Sequence, residues 1–267
     1  MNNLHETARL WKNHAEHAEP DYIGPFVKSW AAFNAWFREA SNESRNDAKG
    51  LHFVKSKPNV VRQQIMPLLC ARPPNRDKAK ELTDLVYRLH TYLEECSLEI
   101  LIDDMPEKIS FKSVCLKKGV NLPKRQANNF EYFVTNSNKR WVSTVVNITT
   151  RVEKFRFEQE KYNLQQMLDS DDYAILSIAQ QNKIAALYEE CNPRPLTNLL
   201  SAGGSIIPVG DIKFKCSNEE LFCGIIEVIY SMRNAILHGE LPPHRNAFAA
   251  YEPAYRIIMR FLRCFQA

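Results

Sequence analysis

From Lys78 to about Ile102 the apolar residues Leu82, Leu85, Val86, Leu89, Leu93 and Cys96 recur at steps of three and four. An α-helix turns that spacing into one continuous face, so the segment is expected to form a helix of roughly 36 Å at about 1.5 Å per residue. A rod of that length needs partners, and the chain offers several. Phe26, Trp30, Phe33 and Phe37 share a face of a segment that Gly24-Pro25 opens and that ends near Ala40, before "ASNESRNDAKG". Phe222, Ile225, Ile226, Ile229 and Ile236 form a stripe on another. Ser217 opens that helix with the capping box S-N-E-E, Gly239 suits the left-handed position after it, and Pro242-Pro243 prevent resumption. A last helix, with Pro253 in its first turn, carries Tyr255, Ile258, Leu262 and Phe265. Helical patterning is also expected from about Trp141 to Met167, through Val145, Ile148, Val152 and Phe155, and from Asp172 to Cys191. The expected fold class is all-α, an antiparallel bundle of four or five helices closed by the first and last segments.

The piece from Met105 to Lys139 interrupts this pattern. It holds Pro106, Gly119 and Pro123, with one strand-like run in "FKSVCLKKGV", and is expected to be an irregular basic excursion from the bundle. Between Lys108 and Arg140 stand Lys108, Lys112, Lys117, Lys118, Lys124, Arg125, Lys139 and Arg140 against the single acid Glu131, a local charge of +7 in a chain of net charge +4. Such a cluster is either a solvated face or a phosphate-contacting patch. Phe111, Phe130, Tyr132 and Phe133 lie among the charges and either stack bases or fill a core.

The seven cysteines include no C-x-x-C pair and sit beside apolar residues, the pattern of reduced, packed thiols. No stretch approaches the roughly 18 apolar residues of a membrane span, and the N-terminus lacks the apolar run of a signal peptide. A cytoplasmic protein without a membrane partner is expected. His14 and His17 lack the companions of a metal site, and Gly203-Gly204 with Gly210 do not make a phosphate loop, so neither metal nor cofactor is expected.

In "IYSMRNAILHGELPP", Ile229 to Pro243, Arg233 falls inside the apolar stripe and His238 stands where the helix should stop. A histidine at a helix C-terminus interacts well with the dipole, and an arginine on an apolar stripe can snorkel or pair with a carboxylate, so neither residue requires a function. The chemical alternative is a proton-transferring imidazole beside a guanidinium that stabilises phosphate charge, which suffices for attack by a ribose 2′-hydroxyl. Residues five apart on an ideal helix are rotated by about 140°, so this pairing needs the helix to end or tighten before His238, or a symmetric dimer to supply the second copy.

"IIEVIYSMRNAILHGE" resembles the signature of the HEPN superfamily, whose ribonucleases carry Arg, a polar residue and His at this spacing. "FVKSWAAFNAWFRE" resembles the family's first helix, and "IPVGDIKFKCSNEELFCGIIEVIY" its approach to the motif. The resemblance implies one HEPN-type domain over residues 1–267, with a bundle core at about 20–40 and 205–267 and an insertion at about 45–204. It implies a metal-independent endoribonuclease leaving 2′,3′-cyclic phosphate and 5′-hydroxyl ends, acting as a toxin or antiviral effector. In it His238 is the acid or base, Arg233 binds the scissile phosphate and Asn234 orients one of them or the RNA. It also implies a homodimer with the site at its interface and control by an antitoxin or regulatory protein; a HEPN dimer that binds RNA or protein without cleaving is the alternative. Asn34, at the edge of the first helix's apolar stripe, either hydrogen-bonds near Arg233 or joins two helices. His244, Arg245 and Asn246 either contact RNA or form a solvated loop.

Overall fold

The computed structural model describes residues 21–42, 46–70, 72–102, 105–116, 124–137, 140–241 and 245–265, the side chains of Arg245 and Asn246 excepted. In chain order the elements are α1 (Ile23–Ser41), α2 (Asp47–Ser56), α3 (Val60–Ile65) with a 3-10 turn (Met66–Leu69), and α4 (Arg76–Cys96). Six strands follow: β1 (Glu99–Ile102), β2 (Met105–Lys108), β3 (Lys124–Ala127), β4 (Phe130–Ser137), β5 (Arg140–Asn147) and β6 (Glu153–Gln159). Then come α5 (Leu164–Leu168), α6 (Asp171–Ala174), α7 (Ile178–Glu190), β7 (Ile206–Val209), β8 (Ile212–Lys215), α8 (Asn218–Leu237) and α9 (Arg245–Arg263). The chain divides into two compact units, one of Met1–Leu116 with Leu196–Ala267 and one of Lys117–Pro195.

The first unit is built on its helices. α9 packs along α1 and α4, which places the first and last described helices side by side. Phe26, Phe33 and Phe37 on α1, Leu82, Val86, Leu89 and Leu93 on α4, and Phe222, Ile225 and Ile229 on α8 are all buried in one core. Each such side chain contributes about 1.5–3 kcal/mol by leaving water, so these stripes hold the helices together. The capping box at α8 forms as its sequence requires: Ser217 Oγ accepts from Glu220 N at 3.1 Å and Glu220 Oε2 accepts from Ser217 N at 2.8 Å. α8 ends before Gly239, which takes φ +69°. The hairpins β1–β2 and β7–β8 add two small antiparallel sheets.

The second unit is a four-stranded antiparallel sheet in the order β3-β4-β5-β6 with three short helices. Asn128 and Asn129 join β3 to β4 with φ of 51° and 63°, the positive values that a tight hairpin turn needs and that asparagine tolerates. Tyr132, Val134, Trp141, Val145 and Phe155 point from one sheet face into a core shared with Met167, Ile184, Leu187 and Tyr188.

Three antiparallel sheets among the described residues make the fold mixed α/β, and this overturns the all-α bundle and with it the HEPN resemblance that required one. The largest departure is Trp141 to Met167, expected as helix: β-branched residues crowd its first half, which forms β5, the turn and β6, and helix appears only at its end, in α5. The helix expected to reach Ile102 stops at Cys96, where Ser97 takes the left-handed conformation (φ 48°) and turns the chain into β1. "FKSVCLKKGV" forms no strand among its described residues; Val114 makes one isolated bridge to Thr197. α9 begins at Arg245, so Pro253 stands inside it, after a first half that holds the helix-favouring Ala247, Ala249 and Ala250.

Candidate anion site at the ends of three helices

The last turn of α1, the first turn of α2 and the end of α8 bring together Arg38, Asp47 and Arg233. Asn46 caps α2 by accepting from Lys49 N at 3.1 Å, which places Asp47 at the first helical position, where the helix dipole favours an acid. Gly50, one turn on, explains how α2 comes close enough: a Cβ there would stand 2.5 Å from Phe37 Cδ2 on α1. The Lys55–Glu227 ion pair ties the far end of α2 to α8.

One carboxylate serves two guanidinium groups. Asp47 Oδ1 accepts from Arg38 Nε at 3.1 Å and Nη2 at 2.5 Å, and Asp47 Oδ2 lies 3.6 Å from Arg233 Nη2. Arg233 Nη1 donates to Asn234 Oδ1 at 3.0 Å, while its buried Nε has no partner. The three side chains therefore carry a formal +1, with Arg233 only 20% exposed and Arg38 40% exposed. Asn34 follows Trp30 by one turn, as Arg233 follows Tyr230 by about one turn, and the Trp30 and Tyr230 rings are 5.8–5.9 Å from their aromatic neighbours Phe33 and Trp30 respectively. Asn34 Oδ1 is buried and also without a partner.

The expected catalytic pair, Arg233 and His238, stands at the end of α8. α8 ends at Leu237 and His238 caps it with φ −92° and ψ 0°, its N–H on Asn234 O at 2.9 Å, so the helix stops just before the imidazole. His238 is exposed, and no hydrogen bond joins it to Arg233, whose contacts are Asp47 and Asn234. With the family resemblance removed by the fold, the metal-independent endoribonuclease, and the hydrolase, toxin and antiviral roles attached to it, lose their basis. Among the described residues no group of His, Cys, Asp and Glu is arranged to hold a metal ion.

The basic segment is largely neutralised where it is described. Lys124 pairs with Glu131 at 2.5 Å and lies 4.8 Å from the Phe133 ring centre, Arg125 pairs with Glu190 at 2.7 Å, and Arg140 lies 3.7 Å from Glu158. Lys117, Lys118, Lys139 and His244 lie outside the described residues, and Arg245 opens α9, its side chain outside them too. Phe111 and Tyr132 are core residues. Sequence reasoning missed Arg38, Asp47 and Gly50; the usable signal was Asn46-Asp47, a cap followed by a first-turn acid.

No family model, no curated protein and no solved structure matches the chain.

Proposed function

We propose that the chain is a binding module that holds RNA by its phosphates at the Arg38–Asp47–Arg233 cluster. The observation that carries this reading is the sharing of one carboxylate between two guanidinium groups, which leaves a part-buried arginine without a counter-ion of its own. A part-buried cation that is incompletely paired is costly, and a phosphate oxygen is the partner whose geometry a guanidinium fork matches best. Asn234 holds the Arg233 fork in place. His238, exposed at the same helix end, is assigned to the rim of the site. A homodimer that sets two such helix ends together belongs to the proposal, supported by Leu237, 52% exposed beside His238. A reducing, cytoplasmic setting is supported by seven free cysteines, of which Cys191 and Cys216 have thiols pushed up to about 11 by burial. No helix among the described residues is long and apolar enough to cross a membrane.

The test is fluorescence anisotropy with an oligouridylate and its deoxy counterpart across a salt series, for wild type, Arg38→Ala and Arg233→Ala. Each lost phosphate contact lowers the slope of log K against log salt by about 0.7 for single strands. Expected are tighter binding to RNA than to DNA and a shallower slope in each variant. Equal binding by all three proteins, or none by wild type, overturns the reading.

A further inference from the structure

α4 opens with Arg76, Lys78 and Lys80 in its first five residues, against the single acid Asp77. Cations at a helix start oppose the macrodipole, so helix stability does not account for them. Arg76 and Lys80, four apart, share a face and border a cleft of about 200 Å³ between the chain after α3, the start of α4 and β7. Its apolar surface comes from Leu69, Ala79, Ile207 and Pro208, and no Asp or Glu lines it. Neither cation has a hydrogen bond or ion pair to the described residues, whereas the nearby acid Glu81 is engaged by Arg260 at 2.7 Å. Thr83 turns its hydroxyl back onto the carbonyls of Ala79 and Lys80, both at 3.0 Å, so its donor is spent within the helix and the charged side chains lining the cleft are the two cations.

A cavity of about 150 Å³ holds a benzene molecule, so this cleft has room for a ring-sized apolar group. We propose that it binds a small amphipathic anion: an apolar group of that size resting on Leu69, Ala79 and Ile207, ending in a carboxylate held between Arg76 and Lys80. Charge complementarity selects the occupant, because a neutral apolar ligand would leave the cations unused and an inorganic anion would leave the apolar floor in water. The inference is independent of the Arg233 cluster, which shares no residue with the cleft.

The probe is 3-phenylpropionate, titrated into the full chain and followed by the backbone and methyl resonances of Ala79, Thr83 and Ile207. With about eleven non-hydrogen atoms it is expected to bind with a dissociation constant on the order of 1 mM. Its amide and inorganic phosphate are expected to bind at least about tenfold more weakly, since each lacks one half of the recognition. Arg76→Glu/Lys80→Glu is expected to lose the acid by about tenfold or more while its melting temperature stays level or rises, because acids suit the start of a helix. Arg76→Ala/Lys80→Ala gives the same loss of binding without charge reversal and serves if the first variant misfolds. Equal binding of acid and amide, equal binding of phosphate, unchanged affinity in the variants, or no saturable shift at those residues overturns the proposal.

Discussion

Replacing Asp47 by Asn separates what the cluster does for stability from what it does for binding. The substitution keeps the shape of the side chain and removes the charge that Arg38 and Arg233 share. Arg38, 40% exposed, loses a screened surface pair worth about 0.2–1 kcal/mol. Arg233, 20% exposed and with its Nε already unpaired, keeps only Asn234 as a partner, and this loss is the larger one. Removing an acid from the first turn of α2 adds about 0.3–1 kcal/mol. Together these give a destabilisation of about 1–3 kcal/mol, which calorimetry would register as a fall of roughly 2–10 °C. The binding effect has the opposite sign. The local charge rises from +1 to +2, so Asp47→Asn is expected to bind oligouridylate more tightly at low salt, with a slope steeper by up to about 0.7. A variant that loses stability and also loses, or leaves unchanged, its affinity for RNA would refute the reasoning, because the carboxylate would then be opposing no polyanion.

Three further outcomes follow from contacts elsewhere. Gly50→Ala improves helix propensity by about 1 kcal/mol, yet its Cβ meets the buried Phe37 ring at 2.5 Å; overpacking of about 1–3 kcal/mol is expected to prevail, and a stabilised variant in urea unfolding would show that α1 and α2 do not approach this closely. His90 is buried against Phe111 and Phe214, and burial holds its imidazole below the usual histidine range, outweighing Glu94 while Lys112 and Lys108 act with it. The unfolded chain then binds the proton more readily, so stability is full above about pH 6.5 and falls as the pH drops from there towards the folded value. A melting series from about pH 7.5 to 5 is expected to show this fall in wild type and to lack it in His90→Leu, and identical slopes would remove His90 as the cause. Tyr188→Phe leaves Gln159 Nε2 and Asn163 N without the hydroxyl that accepts from both, the latter at 3.2 Å, and is expected to cost about 1–3 kcal/mol, read by hydrogen exchange within β6 and α7. Protection unchanged from wild type would show that both donors find other acceptors.

The helices of the first unit were legible because their signals are local. Trp30, Phe33 and Phe37 recur at three and four, Ser217 and Glu220 cap one another over a single turn, and Gly239 ends α8 for a reason carried in its own backbone. The cluster was legible only in part. Arg233 stood out as a cation in an apolar stripe, but Asp47 comes from a helix nearly two hundred residues away in sequence, and nothing in its immediate surroundings names Arg233 as its partner. The spacing of Arg233 and His238 suggested one site; the partners that Arg233 takes within the chain are Asp47 and Asn234.

The misreading of Trp141 to Met167 has a more general cause. A step of four residues belongs to both periods: it is close to one turn of helix and it is two full repeats of a strand. Trp141 and Val145 are four apart and both buried, and the residue that should have decided between the periods is Ser143, polar yet only 1% exposed. A valine there would have shown the alternation; a serine with its hydroxyl unpaired in the core hid it. Val152, which kept the helical spacing, lies 60% exposed just before β6 and belongs to no stripe at all. The contrary signal was composition, since Val145, Val146, Ile148, Thr149, Thr150 and Val152 crowd β-branched residues around Asn147, whose side chain accepts from Thr149 N and Thr150 N at 2.9 Å each to make the turn. The contact that fixes the sheet, Val145 directly opposite Phe155, joins residues that a helix would hold about 15 Å apart along its axis. A periodicity that two structures share is thus settled by the residues that interrupt it, and here a single buried serine concealed the strand while the β-branched run and the asparagine turn disclosed it.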